Sequence, residues 1–152
     1  MFVVAVVWTV AHLVLFMPVV ERLTGQTQDT GDFTALEGDP GTLALLLLLS
    51  WTLAAVGEEV AYRGYLLTRV RQLLGGSVAG LVVSVLLTSL VFGLAHTEQG
   101  AVGVCLATIN GIAYAVLRLR LRTIWASVLM HGFSNTIGLT AYFFVGPVTG
   151  LW

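Results

Sequence analysis

The chain has 152 residues, of which 57% are hydrophobic and only 10% are charged, so it is too apolar for an ordinary soluble domain. Its 7 basic residues are all arginines in a chain of net charge −1, which excludes the polybasic surface that nucleic-acid binding requires. The one cysteine, Cys105, excludes an intramolecular disulfide and a cysteine metal cluster. The composition predicts an all-α, polytopic membrane bundle.

Five apolar runs follow one another, and they approach or exceed the ~20 residues that a helix needs to cross ~30 Å of hydrocarbon. The first run lacks a basic flank and a cleavage site, which favours a span over a signal peptide. The second is short, so we expect its helix to continue through Glu58 and Glu59. The sequence therefore predicts about five spans: Phe2–Val20, Leu43–Gly57, Ser77–Ala95, Ala101–Leu117 and Thr123–Val145.

The connections between these runs differ sharply in charge. The loop from Glu21 to Pro40 is acidic, and Arg22 is its one basic residue. Arginines follow the second run, including Arg69 and Arg71, and three more follow the fourth run. The positive-inside rule therefore predicts that the arginine-rich connections lie in the cytoplasm and that the acidic loop lies outside.

Charged side chains at bilayer depth are expensive, at about 2.5–3.5 kcal/mol for one charge at a helix centre, so each is a functional candidate. Glu59 and Arg63 are four residues apart, so they share a helix face and can form a supporting ion pair. Glu58 is rotated by ~100° from Glu59 and lacks that partner. We therefore expect Glu58 to be available as a general base.

Two further helices carry polar residues with complementary chemistry. His96 ends the third run and shares a face with Phe92, which we expect to wall one side of a site. His131 and Asn135 share a face in the fifth run, and together they offer N–H donors suited to stabilising an oxyanion. A hydrolase needs these three components: a base, a second base or water-positioning group, and a pair of hydrogen-bond donors.

Simpler interpretations exist for each residue taken alone. A single intramembrane histidine is more typical of an interhelical hydrogen bond, and we interpret His12 in this way because no partner lies at helical spacing. Thr108 and Asn110 fit either a cavity wall or packing beside Gly111. The co-occurrence of two adjacent carboxylates, two histidines and an amide on three helices favours an active site.

Three motifs with the spacings E-E-x-x-x-R, F-x-x-x-H and H-x-x-x-N occur in this order, at residues 58–63, 92–96 and 131–135. They resemble the motifs of the CPBP family, which comprises the CAAX proteases and the bacteriocin-processing enzymes, and in particular the type II CAAX prenyl endopeptidases. The resemblance covers Leu43 to Val145 and includes Trp125 ahead of the last motif.

The resemblance implies roles for these residues. Glu58 would activate the attacking water with help from His96, while His131 and Asn135 would form the oxyanion site. Glu59 and Arg63 would be supporting structure. The reaction would be peptide-bond hydrolysis by a glutamate protease that uses neither a metal nor another cofactor.

The same resemblance predicts the setting in which the protein works. The substrate would be a membrane-associated peptide or a lipidated protein, either a prenylated CAAX protein or a bacteriocin precursor, cleaved in the cell membrane. Family members usually have more than five spans, so we expect a minimal or N-terminally shortened member. We divide the chain into residues 1–41, with the first span and the acidic loop, and residues 42–152, with the protease core.

Three alternatives compete with this hypothesis. A zinc hydrolase can use a carboxylate and two histidines, although the usual H-E-x-x-H helix is absent. A proton-coupled transporter or channel also uses intramembrane Glu and His, although no broken-helix repeats are present. A non-catalytic immunity or assembly protein could keep the fold without turnover, although the intact motifs argue against this.

Straight helices would place the candidate catalytic residues at different depths in the membrane. Counted along straight helices from the cytoplasmic ends, His96 lies ~29 Å deep but Glu58 lies less than ~10 Å deep. We therefore expect the segment 57–76 to bend so that these side chains can meet.

The predicted topology can be tested by cysteine labelling in intact cells. We expect a membrane-impermeant thiol reagent to label Asp32→Cys, in the acidic loop, and to leave Arg120→Cys unlabelled because the arginine-rich connection is cytoplasmic. The reverse pattern would overturn the topology.

Overall fold

The computed structural model describes residues 1–147, and the ordered elements in this range are all helical. Four helices are long and apolar enough to cross a membrane, while a fifth, of 17 residues or about 25 Å, is shorter. The predicted polytopic helical bundle is confirmed, and residues 148–152 of the predicted core lie outside the described range. The five helices are α1 (Phe2–Thr24), α2 (Pro40–Leu73), α3 (Val78–Leu94), α4 (Gly100–Leu121) and α5 (Ile124–Val145).

Short polar side chains set where three of these helices begin. Asp39 accepts a hydrogen bond from the Gly41 N–H at 2.9 Å at the start of α2. Ser77 and Thr123 cap α3 and α5 in the same way. The first helix ends at Gly25, whose φ of +67° suits glycine. Because caps and polar end residues belong to the helices, α1 and α2 extend well beyond their apolar runs.

Helix α2 has an unusual middle section. From Ser50 to Leu66 its turns are widened to the π type, so that the Leu67 N–H donates to the Tyr62 carbonyl oxygen. Turns of this kind are frequent at functional sites. The helix then continues without a break to Leu73, which places Glu58 about 22 Å from its end. Helix α2 is therefore unbroken through residues 57–73, where a bend was expected, and it ends well beyond the apolar run Leu43–Gly57.

The bundle is organised around α5, which packs against α1, α2 and α4. Helix α3 packs along α4 and against the last turns of α2, where Leu67 meets Val85 and Ala115. The outer faces are apolar, and side chains such as Leu53 and Leu86 are more than half exposed. Such a surface is suited to lipid rather than water.

The loop between α1 and α2 folds back over one end of the bundle. Its short helical segment, Gly31–Leu36, places Leu36 fully buried among side chains that include Leu139 of α5. The Gly38 N–H donates to the Phe143 carbonyl oxygen at 3.1 Å, and the Gln28 side chain donates to Gln99 at 2.9 Å. The loop is therefore held against both α5 and the α3–α4 turn.

Helices α3 and α4 approach closely because small residues lie between them. At Gly93, the space that a Cβ atom would occupy is already filled by the Thr108 side chain and the Val104 carbonyl oxygen. Gly111 of α4 similarly faces Ser89 of α3. Small residues of this kind allow helix backbones to pack tightly in a membrane.

We expect Gly93→Ala to destabilise the protein by roughly 1–3 kcal/mol, because an overpacked methyl group forces α3 and α4 apart. Thermal unfolding in detergent measures this effect. The control is Gly57→Ala, because a Cβ atom there would meet only the Thr52 carbonyl oxygen, at 3.6 Å. Equal unfolding temperatures for the two variants would contradict the close approach at Gly93.

Candidate active site

A cavity of about 310 Å³ lies between α2, α4, α5 and the α3–α4 turn. All four side chains predicted to be catalytic line it: Glu58, His96, His131 and Asn135. They come from α2, from the residues just after α3, and from α5. The structure thus brings together residues that are up to 77 positions apart in the sequence (58 to 135).

The Glu58 carboxylate is half-buried in the cavity wall. None of the hydrogen bonds and ion pairs among residues 1–147 involves this carboxylate, and its Oε2 atom is buried without a partner. Glu58 therefore lacks the ion-pair partner that Glu59 has, as expected from its position on the helix, and its availability as a general base stays a prediction.

The adjacent Glu59 lies outside the cavity and is fully buried. Its Oε1 atom accepts a hydrogen bond from Arg63 Nη1 at 2.8 Å, which confirms the predicted ion pair. The same oxygen also accepts from His131 Nδ1 at 3.2 Å. Glu59 consequently ties α2 to α5 and orients His131, a role that spacing along one helix could not reveal.

Arg63 is buried as deeply as its partner and lies among aromatic rings. Its guanidinium carbon is 4.2 Å from the centre of the Phe92 ring and 5.3 Å from that of Tyr114. Cation–π contacts are strongest where the cation is desolvated, so these rings stabilise the buried charge. Phe92 therefore supports the ion pair in addition to walling the site.

His96 is held in one tautomer by the residue that the motif places before it. Its Nδ1 atom lies 2.8 Å from the Phe92 carbonyl oxygen, and the two rings are 4.7 Å apart. A carbonyl oxygen can only accept, so Nδ1 carries the proton in this hydrogen bond. In the neutral ring, Nε2 is therefore the nitrogen with a free lone pair.

His131 is also held through its Nδ1 atom. Its Nδ1–H is used by Glu59, so a neutral ring has no second N–H to offer. The ring therefore donates at Nε2 only as an imidazolium. Tyr114 stacks on the ring with centroids 4.8 Å apart and an angle of 20°, which fixes the ring plane.

Several cavity residues were missed or left open by the sequence analysis. Asn110 lines the cavity beside Asn135, and its Oδ1 atom accepts from Trp8 Nε1 of α1 at 2.7 Å. Tyr114 also lines the cavity, although a buried tyrosine in an apolar run carries no sequence signal. The interaction between Trp8 and Asn110 joins residues that are 102 positions apart, so only the fold could reveal it.

His12 does have neighbours at helical spacing, contrary to the interpretation from the sequence. The rings of Trp8 and Phe16, one turn before and after it, pack on His12 with centroid distances of 5.7 Å in both cases. With Thr9 and Trp8 it borders a small space behind Asn110 and Asn135. Helix α1 thus presents a polar face to the back of the site.

Within residues 1–147, no three His, Cys, Asp or Glu side chains are grouped so that they could hold a metal ion. The zinc alternative therefore has no complete ligand set among these residues. That the protein works without a cofactor stays a prediction.

We expect Arg63→Ala to lower the yield of folded protein and to reduce stability by roughly 3–5 kcal/mol, since it leaves Glu59 buried without its cation. Fluorescence size-exclusion chromatography and thermal unfolding in detergent measure both effects. Arg69→Ala is the matched control, because Arg69 is exposed on the same helix, where it donates to Gln72 and lies 5.5 Å from the centre of the Tyr65 ring. Unchanged yield and stability for Arg63→Ala would disprove the supporting role.

Comparison with known proteins identifies the family of this chain. The family model described as type II CAAX prenyl endopeptidase Rce1-like matches residues 40–137, which contain all three motifs. No curated protein and no solved structure matches the chain. Because the matched segment covers well over half of the chain, this multi-pass membrane protein belongs to the type II CAAX prenyl endopeptidase Rce1-like family.

Proposed function

We propose that this protein is a metal-independent glutamate endopeptidase of the cell membrane that hydrolyses a peptide bond in a membrane-associated polypeptide of the prenylated CAAX or bacteriocin type. Membership of the family supports a membrane endopeptidase in general. One observation carries the finer proposal. The unpaired carboxylate of Glu58 shares a cavity with two histidines and three carboxamides.

The first step of the proposed reaction is activation of water. The Glu58 carboxylate accepts a proton from a water in the cavity while the water oxygen attacks the carbonyl carbon of the substrate. His96 accepts a hydrogen bond from the same water at Nε2, since its Nδ1–H is already bound to the Phe92 carbonyl oxygen. The water is thereby held between two acceptors with its oxygen lone pair free to attack.

Attack converts the substrate carbonyl into an oxyanion, which needs hydrogen-bond donors. Asn135 offers its side-chain N–H groups without any change of protonation state. His131 adds a donor at Nε2 when it is an imidazolium, and its hydrogen bond from Nδ1 to Glu59 orients the ring. Donors that are fixed in place before the reaction are the most effective in stabilising a developing charge.

The tetrahedral intermediate then collapses and the peptide bond breaks. The proton that Glu58 took from water passes to the leaving amine nitrogen, so Glu58 acts first as base and then as acid. One product gains the hydroxyl group as a carboxylic acid and the other leaves as an amine. Glu58 returns to its carboxylate form, and no other reactant is needed.

The Glu59–Arg63 pair has a positioning role in this scheme. Fully buried behind the cavity, it orients His131 and holds the first turn of α2 after Glu58 against Phe92. Its contribution lies in placing the reacting groups rather than in proton transfer, because neither side chain lines the cavity.

Two substitutions test the proposed chemistry. Glu58→Gln keeps the side-chain shape but removes the basic oxygen, so cleavage should fall by at least ~10²-fold. Asn135→Ala should lower kcat by ~10²–10³-fold with little change in KM, because the bond to the oxyanion strengthens only in the transition state. The measurement is cleavage of a membrane-tethered reporter peptide by purified protein, with thermal unfolding to check folding.

Matched controls come from exposed positions that lie away from the cavity. Glu37→Gln and Gln72→Ala make the same chemical changes outside the site and should cleave at the wild-type rate. Exhaustive chelation should leave wild-type activity intact, whereas loss of activity that zinc restores would indicate a metalloprotease. Full cleavage by Glu58→Gln would remove the proposed base.

A further inference from the structure

A second cavity lies at the end of the bundle where α2 and α4 finish. Its volume is about 380 Å³, and the described residues that line it include none that line the cavity around Glu58. The last three turns of α2, the turn that follows them and the last turn of α4 form its wall. We call this space the arginine cavity, after the polar side chains in its wall: Arg63, Thr68, Arg71, Gln72 and Arg118.

The charges in the wall of the arginine cavity are all positive. Three of the lining residues are arginines, and none of the described lining residues is acidic. Arg63 is paired with Glu59, but the ion pairs among residues 1–147 include neither Arg71 nor Arg118. The charges of Arg71 and Arg118 therefore have no counterion in this part of the chain, and a bound anion would supply one.

Two of the arginines also carry buried N–H donors that lack an acceptor. Arg63 is only 3% exposed and uses Nη1 for Glu59, while its Nη2 atom is buried without a hydrogen-bond partner. This Nη2 atom lies on the side of α4, since a Cβ atom added at Gly111 would come within 3.2 Å of it. The Nε atom of Arg118 is also buried without a partner. Because guanidinium nitrogens can only donate, a ligand with several acceptor oxygens would satisfy both groups.

Gln72 adds a donor whose direction is fixed by its neighbour. Its Oε1 atom accepts a hydrogen bond from Arg69 at 3.0 Å, so the N–H groups form the free end of the amide. Thr68 contributes no donor, because its hydroxyl group donates to the Gly64 carbonyl oxygen at 2.7 Å. The polar wall therefore presents donors from Gln72 and from the arginines, and no carboxylate competes for them.

Apolar side chains border the arginine cavity. Leu67 and Leu119 complete its wall. Beside it, Leu73 at the end of α2 is 84% exposed and Val78 at the start of α3 is 79% exposed. A basic cavity between membrane helices that is bordered by lipid-exposed side chains suits a ligand with an anionic head and hydrocarbon chains.

We propose that the arginine cavity is a binding site for a phosphate group and that the headgroup of an anionic phospholipid supplies this group. Arginine suits phosphate because its planar guanidinium can donate two parallel hydrogen bonds to phosphate oxygens. Free inorganic phosphate has the same chemistry and is the competing source. The site is separate from the proposed proteolysis, since it would hold its ligand whether or not the protein cleaves a peptide.

Native mass spectrometry of the purified protein in neutral detergent can measure binding without any enzymatic activity. The probe is phosphatidic acid, and the reference is phosphatidylcholine, whose phosphate is offset by its own quaternary amine. We expect wild-type protein to bind phosphatidic acid at least ~10-fold more tightly than phosphatidylcholine. Arg71→Gln combined with Arg118→Gln should weaken the binding of phosphatidic acid by at least ~10-fold, because charge-assisted hydrogen bonds are lost.

The matched control is Arg120→Gln combined with Arg122→Gln. It removes the same charge from the same end of the bundle at exposed positions that do not line the cavity. This variant should bind phosphatidic acid as the wild type does. Equal loss of binding in both double variants would overturn the site, because general surface charge would then explain the affinity. Equal affinity of the wild type for the two lipids, or no binding of either, would overturn it as well.

Inorganic phosphate, added at millimolar concentration, distinguishes the two sources. If the lipid supplies the phosphate group, inorganic phosphate should neither displace phosphatidic acid nor raise the unfolding temperature. Displacement, with a rise in unfolding temperature that the Arg71 and Arg118 double variant lacks, would support a phosphate site and overturn the lipid as its source.

Thermal unfolding without ligand checks that the variants fold. Arg71 is exposed, so Arg71→Gln alone keeps the test valid if the double variant does not fold. This single variant should bind phosphatidic acid at least ~3-fold more weakly than the wild type. Unchanged binding would contradict the site.

Discussion

The Glu59 carboxylate is the group on which the rest of the site depends. It is fully buried and binds Arg63 on its own helix and His131 on another through one oxygen. A buried charge is tolerable only when it is paired and hydrogen-bonded. The requirement to satisfy this one carboxylate therefore fixes α2 against α5, places the arginine over the Phe92 ring and leaves the neighbouring Glu58 to face the cavity.

Adjacent residues on a helix point in different directions, and this protein uses the difference to separate two carboxylates. Glu59 points into the bundle and is neutralised by a cation, whereas Glu58 lines the cavity without a partner. The two histidines, in contrast, are both held at Nδ1. The Phe92 carbonyl oxygen accepts from His96 and the Glu59 carboxylate accepts from His131, so both rings have defined orientations.

Helix α1 lies outside the segment that the family model matches, yet it contributes to the site. Trp8 binds the side chain of Asn110, and the face that carries Thr9 and His12 borders the space behind Asn135. Hydrogen bonds between membrane helices are worth about 0.6 kcal/mol on average, so the effect of Trp8 is expected in orientation rather than in stability. A carboxamide held through its oxygen keeps its N–H groups available to the cavity.

The sequence by itself determined the helical membrane architecture, the Glu59–Arg63 pair and the contact between His96 and Phe92, because hydropathy and helical spacing are local properties. It also pointed to four of the side chains that line the cavity: Glu58, His96, His131 and Asn135. What it did not determine were the interactions between helices: the second role of Glu59, the stacking of Tyr114, and the support of Asn110 by Trp8. The lengths of α1 and α2 and the continuity of α2 through its π-type turns also required the structure. These features depend on packing between segments distant in the chain, and tertiary contacts decide them because local pattern carries no record of which helix faces meet.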